Sequence, residues 1–215
     1  MIALIVVAFA ASSLATDQAA DSTPRAPVAP EGCRQSPHKA GLGFVAWLPG
    51  PQKAGGGVMC EAPEGVSIHH GSSGLRFQPA ARVNCLFALR LIRFESIVQQ
   101  EAKQILGSTV RAIEQLGTFN CRHMAAYPDL VSEHSFANAI DVARFRLKNG
   151  RDVIVERDWV RADQPAASPA ARFLRKLTRR LYDEKVFSVV LTPSYDRHHR
   201  NHLHLDGASY TVDGT

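Results

Sequence analysis

Four of the chain's nine histidines, His198, His199, His202 and His204, fall within seven residues. Read as an extended strand, Asn201 to Leu205 alternates, so that Leu203 and Leu205 point one way while His202, His204 and Asp206 point the other. Residues two apart in a strand are separated by about 6.6 Å. Both rings can therefore converge on one metal ion and its bound water. A second group stands upstream in Ser132-Glu133-His134-Ser135-Phe136-Ala137-Asn138-Ala139-Ile140-Asp141. A histidine in a loop just before a strand, with an aspartate on that strand, can complete a three-ligand set of two imidazoles and one carboxylate. Zinc takes such mixed nitrogen and oxygen donors and, with a fourth position open, activates a water. Any one of these histidines alone is most often a surface or core residue; the combination is what points to a metal.

These side chains need elements to hold them. The segment from Ala139 to Leu147 reads as a strand whose odd positions, Asp141, Phe145 and Leu147 among them, share one face. A carboxylate on that apolar face needs a counter-charge, which a metal or a guanidinium supplies. The strand is followed by Lys148-Asn149-Gly150-Arg151, whose Asn-Gly predicts a hairpin into Asp152 to Glu156. Apolar residues from Val83 to Leu106, including Leu86, Leu89, Leu91, Ile92, Ile97 and Ile105, recur at helical spacing. Thr109 to Ile113 and Thr118 to Arg122 read as two short strands around Gly117. Ser168-Pro169 opens a further helix, with Ser as cap, Pro at the first position and Phe173, Leu174, Leu177 and Leu181 as the buried stripe. Its other faces carry Arg172, Arg175, Lys176, Arg179 and Arg180, most simply a solvated surface. Val186 to Leu191 and Asn201 to Leu205 supply the last strands. The expected fold class is α+β, with a mainly antiparallel sheet and flanking helices.

The chain has 215 residues, 45% apolar and 21% charged, a composition that excludes wholesale disorder and fibrous architectures. The net charge of +5 is modest and does not by itself mark a nucleic-acid binder. Ile2 to Ala11 is an apolar run followed by small residues around Ser13-Leu14-Ala15, so residues 1–15 read as an export signal, the alternative being a short uncleaved N-terminal anchor. The run is shorter than the ~20 residues of a membrane-crossing helix, and no later segment qualifies, so no membrane span is expected in the mature chain. Residues 16–32, rich in Ala, Pro, Ser and Thr, read as a flexible tether, and 33–215 as one domain. Within that domain, residues 33–78 are Gly- and Pro-rich and suggest irregular structure with one or two short strands. His69 and His70 there read as an exposed loop pair. Export permits disulfides among Cys33, Cys60, Cys85 and Cys121, with Cys60–Cys85 the expected pair; the absence of CxxC spacing argues against a zinc finger.

Taken together, SxHxxxxAxD over Ser132 to Asp141 and the late HxH of His202 and His204 resemble zinc D-alanyl-D-alanine carboxypeptidases and peptidoglycan endopeptidases. More narrowly, Asn120-Cys121-Arg122, Ser132-Glu133-His134, Asn138-Ala139-Ile140-Asp141-Val142, Asp158-Trp159, Phe173-Leu174-Arg175 and His199 to Asp206 resemble the bacterial extensin-like C-terminal domain family. The resemblance implies a metallopeptidase-like core with Zn2+ held by His134, Asp141 and His204. It implies His202 beside the bound water, His199 as a further proton acceptor, and Arg122 steadying a substrate carboxylate or oxyanion. Asp206 and Ser132 would support the ligands from behind. Two positions depart from the pattern. Ala137 stands where Gly is usual, implying that the backbone there does not need a positive φ. Asp183-Glu184-Lys185 occupies a stretch where a cysteine is expected, which leaves Cys121 to pair elsewhere or stay free.

The resulting expectation is a periplasmic or secreted zinc peptidase acting on peptidoglycan stem peptides or cross-links. The alternative is a catalytically silent wall-binding or accessory protein with a structural metal. A secreted nuclease would draw on the basic charge and on His198 to His202. With 7% aromatic residues and no recognisable readout motif, no nucleic-acid partner is expected. The sequence assigns no oligomeric state.

Overall fold

The structure, a computed structural model, describes residues 26–215. The expected signal at 1–15 and most of the expected tether lie outside the described residues; 26–30 form neither helix nor strand. A short helix, α1 (Gln35–Lys39), is followed by strands β1 (Gly43–Ala46), β2 (Gln52–Lys53), β3 (Met59–Cys60), β4 (Val66–His70) and β5 (Arg76–Val83). Residues 33–78 are thus more ordered than their Gly and Pro content suggests. Strand pairing, which local composition does not encode, recruits them: β1 and β4 extend the main sheet, and β2 and β3 form a two-stranded ribbon. His69 and His70 are exposed, at the end of β4 rather than in a loop.

Helix α2 (Cys85–Glu101) buries Phe87, Leu91, Phe94 and Val98, while Leu89, expected in the apolar stripe, is exposed. It runs into a π-helical turn, Ala102–Leu106, that ends at Gly107 with φ +70°, a left-handed cap that glycine adopts without strain. Strand β6 (Val110–Gly117) is one continuous strand, and Thr118 to Arg122 forms none. Strands β7 (Ala139–Leu147) and β8 (Asp152–Ile154) make the expected hairpin, with Gly150 at φ +86°. The chain then turns sharply into the short helix α3 (Val155–Asp158) instead of extending the strand to Glu156. Helix α4 (Pro169–Asp183) begins as its sequence predicts, with Ser168 Oγ accepting from Ala171 N at 3.0 Å and Phe173, Leu174, Leu177 and Leu181 buried. Strands β9 (Val189–Leu191), β10 (Leu203–Asp206) and β11 (Val212–Gly214) close the fold.

The main sheet runs β1-β4-β5-β6-β7-β10-β9-β11, with β8 alongside β7. It is mostly antiparallel but mixed, since β5 pairs with β6 and β9 with β11 in parallel. Helices α2 and α4 pack against the core face. Phe145 of β7 meets Phe173 of α4 edge-on at 5.2 Å, and Phe187 lies against both Phe87 and Phe94 of α2. Two disulfides, Cys33–Cys85 and Cys60–Cys121, replace the expected Cys60–Cys85 pair. Each joins residues far apart in sequence, so only the packing of the first residues on α2, and of β3 on the loop after β6, selects the partners. The first ties the start of the domain to α2; the second anchors the strand-free segment that carries Arg122.

The five cations of α4 are largely engaged. Arg180 meets Glu101 and Glu184, Lys176 meets Glu101, Arg179 meets Asp183 and Asp213, and Arg175 donates to the carbonyls of Val160, Arg161 and Gln164. This face braces neighbouring segments rather than standing free.

Candidate functional site

Strand β10 starts at Leu203 rather than Asn201, so His202 stands in the bend before it and not on the strand; within the strand the alternation holds, with Leu203 and Leu205 in the core and His204 and Asp206 on the opposite face. In its neighbour β7 it does not. The pairing steps from Glu114↔Arg144 to Gln115↔Val142, leaving Ala143 as an extra residue, a β-bulge that reverses the alternation. Ile140 and Val142 therefore share the core with Phe145 and Leu147. Asp141 turns to the face opposite Phe145, where it pairs directly with His204 across the ladder. The reading of Asp141 beside Phe145 and Leu147 is thus corrected, because strict alternation fails across a bulge. The bulge lets one strand serve the core at both ends and the site at Asp141.

His134 comes from the 3-10 turn Glu133–Phe136, capped by Ser132, whose Oγ accepts from His134 N at 3.4 Å. The turn ends at Ala137 in the left-handed region, φ +50°, ψ +35°. The expectation that Ala here spares the backbone a positive φ is therefore wrong; the alanine adopts it at a cost of about 1 kcal/mol. The surroundings hold it there. Ala137 O accepts from Asn84 N at 2.8 Å, and Asn84 Nδ2 donates to Phe136 O at 3.0 Å while its Oδ1 caps α2. On the other side Asn138 O accepts from Gly207 N at 3.0 Å, and a Cβ on Gly207 would lie 2.7 Å from the Asn138 side chain, so a larger residue would have to displace that amide.

These supports bring three donors together. His134 Nε2 lies 3.3 Å from His204 Nδ1 and 3.2 Å from Asp141 Oδ2, and His204 Nδ1 lies 2.9 Å from Asp141 Oδ1. Four-coordinate zinc, with bonds of about 2.0–2.2 Å, holds its donors roughly 3.3–3.5 Å apart. The spacing and the donor types both suit that ion. Behind the cluster, Asp206 Oδ2 meets His204 Nε2 at 2.9 Å, so the ring is held from both nitrogens. Asp206 is 2% exposed, and its other oxygen accepts from Ala208 N at 3.0 Å, which fixes the carboxylate in place.

The cluster opens into a cleft of about 190 Å³ lined by, among others, Arg122, Tyr127, Tyr195, His199, His202 and His204. His202 Nε2 is 3.5 Å from Asp141 Oδ1 and its Nδ1 meets Asn201 Oδ1 at 2.9 Å. The His199 ring lies 5.2 Å from that of His202 and 5.7 Å from that of His204, with Nδ1 2.7 Å from Asp196 Oδ1. Arg122 stands at the rim, its backbone tied to Ser132 and Ser135 and its Nη1 donating to His123 O at 3.2 Å.

The electrostatics follow from this packing. Burial opposes the charge of Asp141, yet the imidazoles of His134 and His204 hold its carboxyl well below the usual range. Burial also opposes a charged His204, but hydrogen bonds to Asp141 and Asp206 lift it to about 9. Burial dominates at His202, which falls to about 4, and lowers His199 against the pull of Asp196. Glu133 is raised by burial, against the hydrogen bond it accepts from Asn138 Nδ2 at 2.6 Å.

Every residue expected from the sequence, His134, Asp141, His199, His202, His204, Arg122, Asp206 and Ser132, is in or against this site. Sequence reasoning missed Asp196, Glu133, Tyr127 and Tyr195, which also line the cleft. Only Asp196 had a legible signal, an aspartate placed to cap the turn leading into His198 and His199. The tyrosines come from two loops whose approach depends on tertiary packing.

A mixed, mostly antiparallel sheet with helices on one face and a His–Asp–His cluster under an open cleft on the other defines an α/β domain with a candidate metal centre. The chain belongs to the family described as extensin-like protein C-terminus, whose model matches residues 31–213. No curated protein and no solved structure matches it. Among the described residues, no helix is long and apolar enough to cross a membrane.

Proposed function

We propose that this is an exported zinc peptidase that hydrolyses peptide bonds in peptidoglycan stem peptides or cross-links. The observation that carries the reading is the convergence of His134 Nε2, Asp141 and His204 Nδ1 at one point of an open cleft. Those three residues would hold the metal, with Asp206 orienting His204 from behind. Zinc, when bound, supplies a Lewis acid that lowers the pKa of water and polarises a carbonyl. The chain supplies the rest. His199 and His202 are neutral near pH 7, since burial holds both below their ordinary values, so each can take a proton from the nucleophile and return it to the leaving amine. Arg122 offers a guanidinium at the rim, suited to a substrate carboxylate or to developing negative charge. The resemblance of SxHxxxxAxD and HxH to zinc carboxypeptidases and endopeptidases supports the same chemistry. Two disulfides suit an oxidising compartment, outside the cytoplasm where peptidoglycan is found.

A catalytically silent wall-binding protein would also keep the three ligands for stability. It would have no use for two further imidazoles bordering an open cleft, and this favours turnover. The test is incubation of the zinc-loaded protein with purified muropeptides, with and without a chelator, and identification of products by mass. Chelator-sensitive shortening or separation of stem peptides is the expected result. Unchanged muropeptides with metal retained would reject the peptidase reading in favour of the silent one.

A further inference from the structure

The turn Arg197–His199 is built on a single carboxylate oxygen. Asp196 Oδ1 accepts from His198 N at 2.7 Å, from His199 N at 3.1 Å and from the His199 ring at Nδ1, 2.7 Å away. An ionised carboxylate has no proton to give, so Nδ1 of His199 must be the donor and Nε2, on the opposite edge of the ring, carries the lone pair. His202 is held differently. Its Nδ1 meets the side-chain amide of Asn201, a neutral group that can turn to donate or to accept, and its Nε2 lies 3.5 Å from Asp141 Oδ1, so no carboxylate holds its Nδ1 as Asp196 holds that of His199. The His199 ring is further confined by the edge of Tyr195 at 5.9 Å and by the rings of His202 and His204.

We propose that Asp196 is the positioning residue for His199: it caps the turn and locks the ring as the Nδ1–H tautomer, so that unprotonated Nε2 serves as a proton acceptor in the reaction. The consequence for turnover rests on the peptidase reading above; the hold on the tautomer does not. The two tasks of Asp196 can be separated. Serine at 196 keeps an oxygen able to cap the turn but is too short to reach the ring. Asparagine keeps both contacts, because the two backbone N–H groups require its oxygen, not its amide nitrogen, at the position of Oδ1.

The experiment uses the zinc-loaded chain labelled with 15N-histidine and reads the His199 tautomer from long-range 1H–15N correlations, alongside muropeptide kinetics. Wild type and Asp196→Asn should show Nδ1–H. Asp196→Ser, with metal content unchanged, should show Nε2–H or a mixture, with kcat lower by about 10- to 100-fold and KM little changed, part of the 10²–10⁴ typical of general acid–base catalysis. Asp196→Asn should recover most of the rate. A Ser variant that keeps His199 as Nδ1–H overturns the proposal, as does a changed tautomer with unchanged kcat. If wild type cleaves no muropeptide, the peptidase reading fails, and the spectra alone decide whether Asp196 sets the His199 tautomer.

Discussion

Raising the pH of the metal-free protein from 6.5 to 9 should destabilise it, with His204 as the cause. In the folded chain the His204 imidazolium sits between Asp141 and Asp206 and keeps its proton to about pH 9; in the unfolded chain it loses the proton near 6.5. A group with a raised folded pKa stabilises fully below its unfolded value, and that stability is lost as pH rises through the folded one. Lifting the pKa from 6.5 to about 9 is worth about 3 kcal/mol, and the side chain is only 12% exposed, so solvent screening takes little from it. Asp141, His199 and His202 act elsewhere. Asp141, depressed, gives its full contribution above about pH 4. His199 and His202, lowered by burial, favour the unfolded chain only below about 6.5. Chelator-treated protein should therefore lose roughly 6–12 °C in Tm across this window, measured by calorimetry at several pH values. His204→Gln should flatten the profile, and the zinc-loaded protein should not show the loss, because the metal stands where the proton was. A metal-free profile that is level or rising from pH 6.5 to 9 would refute the assignment of His204 as the proton held between two carboxylates.

Two other outcomes follow from the same contacts. Asp206→Asn removes the carboxylate behind His204 while keeping its shape, and zinc affinity measured by chelator competition should fall about 10- to 100-fold with little change in fold; an unchanged affinity would mean that Asp206 does not orient the ligand. Cys60→Ser with Cys121→Ser opens a loop whose ends are 61 residues apart, which should cost roughly 4 kcal/mol in urea unfolding; peptide mapping of the native protein without reductant should yield Cys33–Cys85 and Cys60–Cys121 fragments and no Cys60–Cys85 fragment.

Much of the site is legible in the sequence because its geometry is local. Alternation places His204 and Asp206 opposite Leu203 and Leu205, and β10 is regular enough for period two to hold. Helix α4 announces its cap, its proline and its stripe within one short segment, and Asn149-Gly150 states its hairpin in two residues. What the sequence leaves open depends on partners distant in the chain. The face of Asp141 is decided at Ala143, where pairing with β6 inserts a bulge that no pattern within β7 reveals. The left-handed backbone of Ala137 is held by Asn84, far upstream, which donates to the carbonyls of Phe136 and Ala137. Four cysteines allow three pairings, and only the packing of separate segments selects one. Residue types and spacing thus determine which side chains are available for a metal and for proton transfer. The tertiary structure decides which atoms of those side chains meet, because strand register, loop support and hydrogen-bond donors come from the whole fold.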